Sequence, residues 1–291
     1  MRIISYRTET NSNQLAAVTA ESEIYPLPFA TSIELIQKGE EEGKSCLEIV
    51  LKAIEGVKAL ELSFEELNLQ LPIHAYEVWA SGVTYQRSKE ARNYESKREE
   101  GASSYYDKVY EAERPELFLK STERRTIGPN DPIYLRSDSN WQIPEPELGL
   151  VINKHGEIIG YTIGNDMSSR DIEGENPLYL TQAKIWKHSC SIGPAILLAE
   201  AVENPYAFEI ICRILRQGEN VFEERASTSQ LKRKYEELVE FLIRDNETFS
   251  GTVLLTGTCI VPPNDFTLKV GDLIEIEVPG IGVLRNPVGH C

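Results

Sequence analysis

The chain of 291 residues is poor in the groups that bind soft metals or build disulfide frameworks. It has four histidines and five cysteines, the latter at 46, 190, 212, 259 and 291. The cysteine count is odd and no Cys-x-x-Cys pair occurs, which argues against both a disulfide scaffold and a zinc knuckle. No apolar run approaches the ~20 residues of a membrane-spanning helix. The opening residues, Met1-Arg-Ile-Ile-Ser-Tyr-Arg, lack the apolar core of a signal peptide, so a cytoplasmic protein without membrane contact is expected. Basic residues are in deficit: 30 Lys and Arg against 46 Asp and Glu give a net charge of −16. A field of that sign repels phosphate backbones, and no basic stripe offsets it locally, so nucleic acid is excluded as a partner. No internal repeat or low-complexity tract is found.

What the chain does have is acid in a particular pattern. Glu145 and Glu147 stand in Trp141-Gln-Ile-Pro-Glu-Pro-Glu-Leu-Gly-Leu-Val-Ile-Asn153, and Asp166 follows in Gly164-Asn-Asp-Met-Ser-Ser-Arg-Asp171. Alternation along a strand turns positions 145 and 147 to one face, with their carboxylates about 7 Å apart. Leu148–Asn153 and Ile158–Ile163 read as two strands, and Asn153-Lys-His-Gly156 between them has turn chemistry. A turn centred near His155 pairs residues whose numbers sum to about 310, setting Glu145 opposite Asn165, Glu147 opposite Ile163, and Asp166 beside Glu145. Three hard oxygen donors without His or Cys suit Mg²⁺, with Mn²⁺ or Ca²⁺ as further fits. The other reading is a solvated edge strand with two ordinary surface glutamates, and Pro144 and Pro146, which remove ladder donors, mark an edge or a strand end in either case.

Around this hairpin the pattern is mostly β. Ile3-Ile4 and residues 14–19 could be strands, Ser45–Leu60 fits an amphipathic helix, and Pro72 punctuates the end of a small N-terminal segment, residues 1–73. Residues 78–85 and Glu116–Lys120 are strand-like. Between them, residues 86–108 form a polar run that reads as a helix followed by a mobile loop. With Tyr85, Tyr94, Tyr105 and Tyr106 this run is either a lid over a site or a solvent-exposed helix with aromatic anchors. Residues 172–184 read as extended with turns, and Ser227–Asn246 as the clearest helix, on the spacing of Leu231, Tyr235, Leu238 and Leu242. Residues 252–261 and 273–278 read as strands.

The acidic hairpin, Leu117-Phe-Leu-Lys-Ser-Thr122, Gly160–Asp171, Ile192-Gly-Pro194 and Leu255-Thr-Gly-Thr258 occur in the order seen in the fumarylacetoacetate hydrolase superfamily, which the chain resembles over roughly residues 75–291. Within it, Glu77-Val-Trp-Ala-Ser-Gly82, Arg114-Pro-Glu116, Arg136-Ser-Asp-Ser139, Glu175-Asn-Pro-Leu-Tyr-Leu180 and Leu242-Ile-Arg-Asp-Asn246 resemble the branch that dehydrates 2-keto-3-deoxy sugar acids. The resemblance implies an α+β, mostly β fold: a mixed β-sandwich roll over residues 74–291 beside a small N-terminal α/β domain. It implies a divalent metal on Glu145, Glu147 and Asp166, Lys184 as a site lysine, Thr258 as a contact to the substrate carboxylate, and a homodimer or homotetramer.

The implied reaction is metal-dependent dehydration of a small anionic 2-keto acid, of the 2-keto-3-deoxy-D-arabinonate type, to 2-oxoglutarate semialdehyde. A 2-keto acid chelating a divalent cation has its enolate stabilised when C3 loses a proton, and the C4 hydroxyl is then positioned to leave. Glu116 is the candidate base, against a plain strand-end glutamate. Lys184 is a candidate to neutralise the carboxylate or protonate the leaving hydroxyl, against a snorkelling surface lysine. Lys120 and Arg170 are candidate cations of the site and, with Ser81 and Thr122, candidate contacts to the substrate. Hydrolysis of an acylpyruvate-type C–C bond, or decarboxylation of a small diacid, is the alternative. Hydrolytic branches use a His–Glu pair, and none of histidines 74, 155, 188 and 290 falls in the stretch 81–116 where those branches place it. His188 keeps that alternative open. A third reading, of another class, is a non-catalytic protein in which the metal serves structure or ligand sensing.

Overall fold

Strands Pro146–Ile152 and Ile158–Asp166 pair antiparallel, forming the expected hairpin at the centre of the molecule. The computed structural model describes residues 1–96 and 103–290. The hairpin register differs by one residue from the expectation. An irregularity between Val151 and Ile152 leaves Ile152 opposite Ile158 but Val151 opposite Gly160, so Glu147 faces Gly164 and Pro146 faces Asn165. One extra residue in the second strand, a β-bulge, is the physical cause. Its effect is that the Asp166 N–H donates to the Glu145 carbonyl at 3.0 Å, placing the two acids directly across from each other.

The hairpin is interior to its sheet. Among the described residues this sheet has eleven strands, nine in the order Ile24–Pro26, Asn13–Val18, Arg2–Arg7, Cys190–Leu198, Ile158–Asp166, Pro146–Ile152, Thr252–Thr258, Glu77–Gly82 and Glu116–Thr122. Pro146 is the first residue of its strand, where a missing ladder donor costs least; the edge-strand alternative does not hold. Thr252–Thr258 and Glu77–Gly82 run parallel, while most other neighbours are antiparallel, giving the expected mixed, mostly β architecture. A second sheet of five strands runs Glu219–Ser227, Glu209–Arg216, Leu273–Val278, Gly282–His290 and Ile133–Leu135.

Side-chain alternation divides the interior in two. Leu148, Leu150, Ile152, Ile163 and Leu254 face a core shared with Ile210, Ile214, Ile274, Ile276 and Leu238 of the second sheet and helix Tyr235–Ile243. Val151, Val253, Leu255 and Ala80 point the other way, onto Leu35, Ile36, Cys46, Ile49 and Val50 of helices Ser32–Glu42 and Cys46–Ile54. Residues 1–73 enter the same sheet, Arg2 and Ile3 pairing with Leu197 and Ile196.

Three sequence readings are corrected. The helix expected over 45–60 spans only Cys46–Ile54; it starts at a capping box between Ser45 and Glu48, and Gly56 turns left-handed at φ 73° just past its end. The helix expected over 227–246 is Tyr235–Ile243, because residues up to Ser227 belong to a strand and Leu231 precedes the helix. Residues 172–184 are not extended: helix Arg170–Glu175, a 3₁₀ turn Pro177–Tyr179 and helix Leu180–Lys184 follow one another. Asn176 caps the middle turn by accepting from the Leu178 N–H, with Pro177 at the first position, so residues that read as turn signals start a helical turn. Between Gly82 and Glu116, helices Gln86–Ser96 and Ser103–Glu111 occupy the polar run; the loop expected there falls largely on residues outside those described, as does the side chain of Tyr105. Among the described residues no helix is long and apolar enough to cross a membrane.

Leu254 is fully buried in the core between the two sheets. Leu254→Ala should cost about 2–5 kcal/mol, read as a lower urea midpoint at unchanged slope. A midpoint equal to that of the parent protein would mean the two sheets do not share that core.

Candidate metal centre

The strands that build the site all stop at the same end of the large sheet. Glu145 precedes its strand, Asp166 ends the next, Gly257 and Thr258 end a third, Gly82 ends a fourth and Glu116 begins the fifth. Where the backbone ladder ends, side chains converge, and Glu145, Glu147 and Asp166 bring ligand oxygens within 4.8 Å of one another. All three are buried, at 4%, 2% and 1% exposure.

Three like charges removed from water at that distance need cations. Lys184, itself 1% exposed, donates from Nζ to Glu145 Oε2 at 2.5 Å, to Asp166 Oδ2 at 3.0 Å and to Ser168 Oγ at 2.6 Å. It is a fully enclosed ion-pair partner, and the snorkelling alternative fails. Lys120 Nζ lies 2.7 Å from Asp166 Oδ1 and donates to the Met167 carbonyl at 2.8 Å and to the Lys184 carbonyl. Arg170 donates to Glu145 Oε1 at 2.8 Å. Burial disfavours the charge on Asp166, but Lys120 and Lys184 outweigh it and hold that carboxyl below its ordinary value. Burial likewise works against Lys184, yet Asp166 and Glu145 raise its proton affinity above that of a free lysine.

Glu147 is treated differently by its surroundings. Its Oε2 accepts the Gly257 N–H at 2.6 Å, and no ion pair to it is found among the described residues. Burial, then the charges of Asp166 and Glu145, push its carboxyl well above the usual carboxylate range. A buried acid partnered only by a neutral donor, in a nest of hard oxygens, fits a divalent cation as the missing charge. Gly257 makes the contact possible: its φ is +94°, and a side chain there would meet Thr84 Oγ1 at 2.0 Å.

Glu116 lies apart from the trio. Its carboxylate lies over Gly82, where a Cβ would fall 2.0 Å from Oε2. That oxygen is buried and has no hydrogen-bond partner among the described residues. Burial raises its proton affinity; Arg92 opposes that shift and Glu173 adds to it. This is the environment of a carboxylate that takes protons above the usual acid range.

The remaining candidates divide. Ser81 is buried at the site, with its hydroxyl donated to the Glu116 carbonyl at 3.1 Å. Thr258 lies opposite Glu147, but its hydroxyl bonds the carbonyls of Pro146 and Ile260, both at 2.9 Å. Thr122 is at the far end of the strand from Glu116, accepting from Arg125 at 2.9 Å. Of the tyrosines in and beside the polar run, Tyr85 and Tyr106 are buried and Tyr94 is exposed. His188 stacks on Tyr134 at 4.4 Å between ring centroids and hydrogen-bonds the Pro132 carbonyl, which gives it a structural role. Missed in the sequence were Ser168, Asn165 as the acceptor holding the Glu145 N–H at 3.1 Å, and the buried pair Arg92–Glu173. Ser168 and Asn165 flank Asp166 and could have been read from that adjacency; Arg92 had no local signal.

Metal loading should test the trio directly. Adding MgCl₂ at 100 times its Kd should stabilise the parent protein by about 2.7 kcal/mol, read as a rise in Tm, and Glu147→Gln should abolish that rise. An equal rise in the variant would remove Glu147 from the ligand set.

Three comparisons bear on this architecture. Residues 88–289 match the family model described as fumarylacetoacetate (FAA) hydrolase C-terminal. A probable 2-keto-3-deoxyxylonate dehydratase of Haloferax volcanii is 46% identical over 234 residues, covering 80% of this chain and 79% of its own. The 2-dehydro-3-deoxy-D-arabinonate dehydratase of Saccharolobus solfataricus is 44% identical over 223 residues, 77% of this chain and 75% of its own. The solved structure of a 2-keto-3-deoxy-D-arabinonate dehydratase complexed with magnesium and 2,5-dioxopentanoate superposes with a TM-score of 0.86 at 35% identity, over 100% of this chain and 99% of that one. With the family model spanning most of the chain and the relatives aligning through the strands that carry the acidic trio, this chain belongs to the fumarylacetoacetate hydrolase family.

Proposed function

We propose that the chain is a hydro-lyase that dehydrates a 2-keto-3-deoxy sugar acid, of the 2-keto-3-deoxy-D-arabinonate type, to 2-oxoglutarate semialdehyde, with Mg²⁺ held by Glu145, Glu147 and Asp166. The observation that carries the reading is the division of labour among buried acids: three within 4.8 Å of one another beside Lys120, Lys184 and Arg170, and a fourth, Glu116, set apart with raised proton affinity. The two relatives named as dehydratases of this substrate class, and the magnesium-containing neighbour, support the same choice.

A divalent ion in that nest supplies Lewis acidity to a 2-keto carboxylate chelating it, making the C3 hydrogens more acidic. Lys184 and Lys120 fix the ligand carboxylates and add positive charge where the anionic substrate arrives, against the −16 of the whole chain. Glu116 removes a proton from C3; its desolvated carboxylate is a stronger base than one in water. The C4–O bond then breaks with its electron pair on oxygen, and the proton held by Glu116 returns to the departing hydroxide, giving water and restoring the carboxylate. The unsaturated 2-keto acid left behind tautomerises through a dienol to the semialdehyde. No histidine is needed, in keeping with the structural role of His188. The family resemblance also supports a homodimer or homotetramer, which light scattering of the purified protein decides.

Incubating Mg²⁺-loaded protein with 2-keto-3-deoxy-D-arabinonate should yield 2-oxoglutarate semialdehyde by NMR, and EDTA should abolish it. Two carbon fragments instead of one product would move the reading to C–C hydrolysis. Glu116→Gln should lower kcat by about 10²–10⁴-fold and leave the metal-dependent rise in Tm in place. Because the base works deprotonated and its proton affinity is raised, kcat/KM should increase with pH through a value above the ~4.3 of a free glutamate, and that limb should vanish in Glu116→Gln.

A further inference from the structure

Glu145 stands between Pro144 and Pro146, so of those three residues it alone has a backbone N–H to place. The donor goes to a side chain, Asn165 Oδ1 at 3.1 Å, while the Glu145 carbonyl accepts the Asp166 N–H at 3.0 Å. The main chain of this ligand candidate is thus fixed from two sides. On the first side the bond depends on which way the Asn165 amide faces, because a reversed amide would set Nδ2–H against the Glu145 N–H, donor against donor.

The neighbouring strand holds the other half of this arrangement. Asn165 lies directly opposite Ser191 of strand Cys190–Leu198, and both residues are fully buried. Across the sheet the row reads Pro146, Asn165, Ser191 and Ile127, so the two polar residues are closed in by an apolar one at each end. Ile163 and Met167, two positions before and after Asn165, belong to the hydrophobic core as well. Asn165 Nδ2 and Ser191 Oγ are both buried, and neither has a hydrogen-bond partner among the described residues. Native interiors rarely leave two such groups unbonded side by side. Directly opposed side chains start about 4.5–5.5 Å apart at Cβ, and since these two polar atoms do not bond each other, one water molecule between them can bond both.

Resting on Glu145 as a metal ligand, we propose that a single internal water bridges Asn165 Nδ2 and Ser191 Oγ, and that Ser191 thereby positions Glu145. Nδ2 donates to the water, the water shares its next hydrogen bond with the serine hydroxyl, and Asn165 Oδ1 is left facing the Glu145 N–H. The Ser191 hydroxyl bonds none of the acids among the described residues. It is a positioning residue that acts through Asn165.

The bridge and its consequence are measured separately on the full chain. In ¹⁵N-labelled protein, a rotating-frame Overhauser experiment should show a water cross peak of dipolar sign at the Asn165 side-chain amide, and Ser191→Ala should remove it. Mg²⁺ affinity is read by titrating the metal-dependent rise in Tm. Ser191→Ala should weaken it about tenfold, the lower end for groups that orient ligands, while Ser191→Thr, which keeps the hydroxyl, should bind more tightly than Ser191→Ala. Asn165→Ala should weaken it at least as much, and adding Ser191→Ala to that variant should change it less than about twofold, because Ser191 then has nothing to act through. Circular dichroism reports whether each variant folds; if Asn165→Ala does not, the cross peak and the Ser191→Ala titration still decide. A serine that only supports the fold would lower the urea midpoint of the metal-free protein and leave Mg²⁺ affinity in place. That result, additive effects in the double variant, or a parent protein without the cross peak overturns the proposal. A parent protein that shows the cross peak but no Mg²⁺-dependent rise in Tm would overturn the metal assignment beneath it instead.

Discussion

The structure is organised around carboxylates that have been taken out of water at short range. Three buried acids with oxygens within 4.8 Å of one another would neutralise themselves by taking up protons unless cations were built in with them. Lys184, Lys120 and Arg170 supply those cations, each drawn from a different element: the short helix Leu180–Lys184, the strand Glu116–Thr122 and the helix starting at Arg170. The geometry of the acidic nest is thus set by ion pairs converging from three elements, and Glu147, which has no ion pair among the described residues and accepts the Gly257 N–H, marks where a further positive charge fits.

The large sheet makes this convergence possible. Alternation sends apolar side chains of the central strands into two separate cores, one shared with the second sheet and one with the N-terminal helices, so the strands are clamped on both faces. Their ends are then free to carry polar groups. A bulge and a left-handed glycine adjust the details. The extra residue near Ile159 aligns Asp166 with Glu145, and Gly257 turns its N–H onto Glu147. Charged residues so placed work against folding stability, which the buried sheet cores offset.

The two acid sets at this end of the fold are held at different proton affinities. Lysines close to Asp166 hold its proton affinity below the ordinary value, and burial raises that of Glu116. Arg92, from helix Gln86–Ser96, pairs with the buried Glu173 of helix Arg170–Glu175. The strands of the sheet therefore carry or border the buried acids, and part of the charge paired with them comes from the short helices Arg170–Glu175 and Leu180–Lys184.

Local pattern determined the hairpin, its turn, the mostly β character and the pairing of Glu145 and Glu147 with Asp166, because period-two alternation and turn residues act over a few neighbouring positions. Much of the helical detail was less legible. The run 172–184 carries turn residues that start helices once Asn176 and Pro177 cap them, and the long periodic segment at 227–246 is divided because its first residues pair with Glu209–Arg216. Tertiary structure alone decided that Lys184 is buried rather than snorkelling, that the hairpin lies inside the sheet, and that Arg92 and Glu173 meet. These depend on which distant segments pack together, and burial energies, unlike strand alternation, are summed over contacts that no single stretch of sequence contains.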